Sequence, residues 1–231
     1  MSYLDEDIHK MMSKKEAGKE GDGNVAFKCN WNDRNYMAPC SEEACEFNIN
    51  EGRARCNILD RKCLEYPKEV TLDNCPCYES IALKEMYFAA GWDQSKVKEQ
   101  PRHIHSVRLN KMAILTTRPP GFEEKDRLII ACLFIERVED DPGQETEIYG
   151  DKTKSLIIDY DKVKIRFWDY YKNAEAQDLI LWASGLFRYV TDEAVLNILN
   201  GICEKYANEG MDTKKVIDLI RCYEEVIKNI K

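Results

Sequence analysis

Hydrophobic and polar positions divide the chain into four regimes. Residues 1–24 scatter acidic and basic side chains without an apolar core and end in glycines, so they read as a mobile leader. From 25 to 78 neither the helical nor the strand period holds, and Asn, Gly, Pro and Cys interrupt the pattern. A segment of this kind needs a staple to keep one shape. In YESIALKEMYFAAGW, 78–92, residues Ile81, Leu83, Met86, Tyr87 and Ala90 recur at roughly helical spacing, and Gly91 is a natural stop, which predicts one amphipathic helix. Between 104 and 168 the pattern shortens to IHSVRL, KMAILTT, DRLIIACLFIERV, TEIYG, SLIIDY and VKIRFW, parted by turn residues. Six such segments predict a small barrel or strongly bent sheet. LIIACLFI, 128–135, is apolar at both parities and should be a central strand covered on each face.

The last forty residues carry the helical period twice. Val195, Leu199, Ile202 and Tyr206 share one face before Gly210, and Val216, Ile220, Tyr223, Ile227 and Ile230 share another, which predicts an antiparallel helix pair. The expected class is α+β: leader 1–24, cysteine-rich subdomain with one helix 25–92, small β-barrel 93–190 and helical hairpin 191–231.

Composition refines this picture in two respects. With 231 residues, 44% apolar, the chain can bury a substantial core. A formal net charge of −8 excludes bulk attraction to nucleic acid or an anionic membrane, so any polyanion must meet a local basic patch. The leader lacks a signal-peptide core, and no window approaches the ~18 apolar residues of a membrane span. A cytoplasmic protein with no membrane partner is expected.

Ten cysteines are many for such a protein, and seven of them lie between 29 and 77. In a reducing compartment a local cluster points to a metal before a disulfide framework. Cys29, Cys40, Cys45, Cys56, Cys63, Cys75 and Cys77 are separated by 10, 4, 10, 6, 11 and 1 residues, with no C-x-x-C knuckle. Thiolates suit zinc or a four-iron cluster equally, and buried thiols without metal remain open. The candidate ligands are Cys45, Cys56, Cys63 and Cys77, with Cys40 able to replace Cys45, and zinc is the expected cofactor with a 4Fe-4S cluster as the alternative. Cys132, Cys203 and Cys222 sit inside apolar patterns and read as small core residues.

Two further features carry candidate chemistry. The stretch 94–118 holds Lys96, Lys98, Arg102, Arg108, Lys111 and Arg118 against Glu99 alone, a local +5. Such a stripe suits phosphate contacts, and equally a solvated sheet edge. Downstream, 166–190 gathers Phe167, Trp168, Tyr170, Tyr171, Trp182, Phe187 and Tyr189, with Asp169, Asn173, Ser184 and Arg188 among them. Rings at this density build a core, or a slot that sandwiches a flat ligand while a polar group reads its edge. His103 and His105 lack a partner motif, and Asp159, Asp161 and Lys162 fit a charged strand end as well as a nuclease site. Phosphate-loop, dinucleotide-binding, nucleophile-elbow and zinc-protease motifs are all absent.

KMAILTTRPPGFEEKDRLIIACLFIERV, followed by FWDYYKN and WASGLFRYVTDEAVLNIL, resembles the PUA-like barrels, a superfamily that includes the EVE, YTH and ASCH modules, in bacterial proteins found around restriction and defence loci. The resemblance covers roughly 104–200 and rests on strand order and aromatic placement. It implies a non-catalytic module that binds nucleic acid, DNA before RNA, and takes a modified base into an aromatic pocket. Trp168, Tyr171 and Trp182 would be its rings, and Arg188 or Asp169 its edge readers. Two alternatives belong to other classes: a zinc- or iron–sulfur-dependent enzyme acting on nucleic acid, and an adaptor that binds a protein through the C-terminal helices.

Overall fold

A computed structural model of the chain describes residues 22–51, 77–93, 100–173, 179–182 and 185–230. The leader up to 21, and with it most of that expectation, lies outside them. Among the described residues nine strands and four helices form a mixed α+β fold. In chain order they are β1 (Asn24–Lys28), α1 (Glu42–Asn50), α2 (Tyr78–Glu85), β2 (Tyr87–Ala89), β3 (Trp92–Asp93), β4 (Gln100–Pro101) and β5 (Met112–Thr117). Then come β6 (Leu128–Glu139), β7 (Glu147–Gly150), β8 (Leu156–Ile157), β9 (Phe187–Val190), α3 (Asp192–Asn208) and α4 (Lys214–Ile230).

Seven strands make one sheet in the order β2-β7-β6-β5-β1-β9, with β8 also on β6, while β3 and β4 pair separately. All pairings are antiparallel except that of β1 with β5. The sheet curls into a half-barrel. Phe88 on β2 meets Phe27 on β1 at 4.7 Å between ring centroids, although β7, β6 and β5 separate those strands in the sheet. Only a curled sheet brings such strands together.

Both faces of the sheet are covered. Val25, Phe27, Leu115, Leu133 and Ile135 look inward toward α2, Tyr36 and Tyr160. Ala26, Met112, Ile114, Ile129, Cys132 and Phe134 pack instead beneath α3, α4 and the aromatic turn at 167–171. The double apolar parity of 128–135 thus reflects a strand with a core on each side, as the sequence pattern predicts. Within it the alternation slips once, because Leu115 opposes Ala131 while Thr116 opposes Ile129, leaving Ile130 as a bulge. Cys132 is fully buried there, and desolvation pushes its thiol up to about 12, so it behaves as a small core residue.

The helical hairpin forms as the period predicts, with Thr191 accepting the Ala194 N–H as N-cap and Gly210 in the left-handed region at φ 66°. The helix expected over 78–92 is shorter. It stops at Glu85, Met86 turns left-handed at φ 54°, and Tyr87–Ala89 joins the sheet as β2. Cross-strand pairing with β7 outweighs a helical spacing carried by only a few apolar residues. IHSVRL forms no strand, and VKIRFW contributes a single bridge from Arg166 to Leu128. Strands β1 and β2 come from 25–92 yet share one sheet with the strands of 93–190.

Candidate functional site

The basic stripe does not survive as one surface. Lys96 and Lys98 lie outside the described residues. Lys111 is only 2% exposed, with its ammonium 2.8 Å from both Asp192 oxygens and 5.9 Å from the Tyr223 ring. It is a structural cation and leaves the list of phosphate contacts. Arg108 precedes β5 and Arg118 follows it, so they flank a strand about 20 Å long. Arg118 stands 3.4 Å from Glu51, and the Arg102 backbone N–H bonds to Gly91 beside Thr146. Among the described residues the three arginines thus have different neighbours: Gly91 and Thr146 for Arg102, Gly23 for Arg108 and Glu51 for Arg118.

The aromatic residues do assemble. Phe167, unassigned by sequence, is the hub: it stacks on Tyr171 at 4.9 Å and meets Trp182 at 5.2 Å and Trp168 at 5.4 Å. Trp168 also stands edge-on to Tyr171 at 5.6 Å and to Trp182 at 6.4 Å. This cluster sits at the end of the sheet where β1 and β5 finish and β6 and β9 begin. Strand geometry therefore delivers cations from three strands to one indole. Lys28 at the end of β1, Arg127 just before β6 and Arg188 on β9 lie 5.7, 4.9 and 5.7 Å from the Trp182 ring.

Charge is organised tightly around these rings. Glu124 accepts from Arg127 Nε and Nη2, at 2.6 and 2.8 Å, and from the Trp168 indole N–H at 3.2 Å. Burial opposes its ionisation, but the hydrogen bonds from Arg127 and Trp168 together with Lys28 hold the carboxyl below its ordinary range. Arg188 donates to Asn173 Oδ1 at 3.1 Å and to the Leu181 and Trp182 carbonyls, so it fixes the loop that carries Trp182. Trp182 is 2% exposed and Trp168 8%, while Asp169 is exposed and lines a surface groove. Arg127, Glu124 and Lys28 escaped sequence reasoning. Their one signal is a charged residue abutting an apolar run, as in EKDRLII.

The cysteine flank is held by amides. Asn32 Nδ2 contacts the Ala38 carbonyl at 2.9 Å, Ser80 Oγ at 3.1 Å and Cys77 Sγ at 3.8 Å. Asn48 on α1 brackets Trp31 from both sides, accepting its N–H and donating to its carbonyl. Cys40 precedes Ser41, the N-cap of α1; Cys45 is buried on that helix, and Cys77 is the N-cap of α2. Helix N-termini favour thiolate, which suits metal ligation. Cys56 and Cys63 lie outside the described residues. Among the described residues no group of three or more His, Cys, Asp or Glu side chains could hold a metal ion.

The remaining candidates have structural partners. His103 Nδ1 lies 2.7 Å from Asp140, and its ring stacks on His105 at 6.2 Å. Asp159 pairs with Lys162 at 3.0 Å, and Asn35 reaches both Asp159 and Asp161, which closes a loop contact. On α4, Val216, Leu219 and Tyr223 are spent on the chain's own core. No described helix is long and apolar enough to cross a membrane. Comparisons with family models, curated proteins and solved structures find no match to the chain.

Proposed function

We propose that the chain is a non-catalytic nucleic-acid recognition module whose working surface is the end of the sheet around Trp168 and Trp182. One observation carries this reading: Lys28 on β1, Arg127 just before β6 and Arg188 on β9 converge on Trp182, one of four stacked and edge-on rings. Rings offer stacking faces to a base and the Lys28 ammonium suits a phosphate, while Arg127 and Arg188, 3% and 5% exposed, hold Glu124 and the Trp182 loop in place around them. The resemblance to base-reading PUA-like modules agrees with it.

Burial defines how such a site must open. Trp182 has no exposed face and is locked by its N–H to Gly185 O at 3.1 Å and by Arg188. Trp168 is the more exposed indole, tethered by one hydrogen bond to Glu124. It is therefore the ring that yields to a base, and Trp168→Ala should erase preference among bases while leaving general affinity. Fluorescence anisotropy with single- and double-stranded DNA and RNA, carrying plain and modified bases, measures both. If the wild-type protein binds no nucleic acid of any kind, this reading is wrong.

A further inference from the structure

Beside the aromatic cluster lies a groove of about 610 Å³ whose walls come from the turn at 121–126, the stretch 164–169 and Lys205 of α3. We propose that this groove is the track for an unpaired nucleotide strand, with phosphates on Lys164 and Lys205 and a base stacked on Phe122. The proposal rests on the nucleic-acid reading above and specifies where the strand lies.

Local sequence builds the groove. Pro119-Pro120-Gly121-Phe122 closes a turn through Phe122 N–H to Pro119 O at 3.2 Å, with Gly121 at φ 74°, the combination of proline and positive-φ glycine that a type II turn requires. That turn lifts Phe122 to 37% exposure. Across the groove Lys164 Nζ stands 5.9 Å from the Phe122 ring, and Lys205 Nζ is placed by the Lys164 carbonyl at 2.8 Å. With Lys164 over one face of the Phe122 ring, a phosphate on the ammonium would be followed by a base on the ring's other face.

The carboxylates of the groove do not cancel this character. Glu123 pairs with Lys125 at 2.6 Å on open surface, and the half-buried Asp126 pairs with the exposed Arg166 at 3.5 Å. Such pairs contribute little and can be redirected by an incoming phosphate. Among the described residues Lys164 and Lys205 make no ion pair. Asp169 is the third carboxylate on the lining. The volume falls within the range of small-ligand sites, about 300–1,000 Å³, which suits one or two nucleotides of a strand and not a duplex.

The test uses the full chain and oligonucleotides of one sequence as single-stranded DNA, single-stranded RNA and duplex DNA, titrated over a range of salt. Lys164→Glu/Lys205→Glu should weaken single-strand binding at least about tenfold and flatten the log K against log salt slope by about 1.4, two contacts at ~0.7 each. Phe122→Ala should weaken it about tenfold with the slope unchanged. The control Lys215→Glu/Lys228→Glu makes the same charge change on exposed α4 positions and should leave affinity within about twofold. If the groove variant binds as the control does, or if duplex binds as tightly as strand, the groove assignment fails. If the wild type binds neither strand nor duplex, the broader functional reading fails instead.

Discussion

Lys111 carries a charge into a position 2% exposed, and its surroundings are built to receive it. Asp192 opposes it at 2.8 Å, Asn24 Nδ2 donates to the same carboxylate at 2.8 Å, and the Tyr223 hydroxyl lies 2.7 Å from both Asp192 and Asn24. Four side chains from β1, the entry to β5, α3 and α4 are thereby joined. Burial and the neighbouring Asp192 push the Tyr223 hydroxyl well above its usual range, so it stays a neutral donor. Removing one member leaves its partner's charge desolvated. Lys111→Met should therefore cost about 3 kcal/mol, the low end for a broken buried pair because the Asp192 side chain is 22% exposed. Urea unfolding measures this, and a loss below about 1 kcal/mol would show that the pair is not structural. Lys111→Glu, which sets two carboxylates against each other, should yield no folded protein.

Gly150 stands where β7 ends, against the point at which β6 changes partners. Its N–H bonds to the Met86 carbonyl at 2.7 Å, which pins the left-handed end of α2 to the sheet. A methyl group there would sit 2.9 Å from Leu133 Cβ and 2.7 Å from Ser155 Oγ, and Leu133 is fixed in the core. Gly150→Ala should cost about 1–3 kcal/mol of stability by overpacking, read as a lowered thermal midpoint. This corner also explains why parts of the fold were hidden in the sequence. The helical hairpin was legible because it repeats its period over many residues, and β6 because its apolar run is long enough to mark a strand covered on both faces. Strand β1 was not, since NVAFK is short and buried on both faces, so no alternation marks it. The aromatic cluster was visible as density of rings, whereas Arg127 and Glu124 were not, because their meeting with Trp168 depends on a bridge between 128 and 166. Lys111 was misplaced for a related reason: charge on a sequence carries no sign of which face its strand presents.

Two partly buried carboxylates join the layers of the molecule, and both make its stability depend on acidity. Glu124 ties the turn before β6 to the aromatic turn through Arg127 and Trp168, and Asp192 ties the sheet to the hairpin through Lys111, Tyr223 and Asn24. For each, burial disfavours the charged form but the hydrogen bonds outweigh it, leaving the folded carboxyl below its ordinary value. The unfolded chain then binds protons more readily than the folded one. Stability from these groups is complete above the unfolded values, about 4.3 for Glu and 3.9 for Asp, and is lost as pH falls through the lower folded values. Depressed but exposed carboxyls such as Asp140, held by Thr146 and His103, add little to this. Urea midpoints should thus be level from pH 7 to 5 and fall steeply below about pH 4. Asp192→Asn should start lower at pH 7 and decline less steeply in acid, because one of the two coupled protonations is gone. High salt should alter the decline little, since both carboxylates face cations inside the fold and not across solvent. If the Asp192→Asn protein loses stability in acid as steeply as the wild type, the buried network is not what couples the sheet and its hairpin to pH.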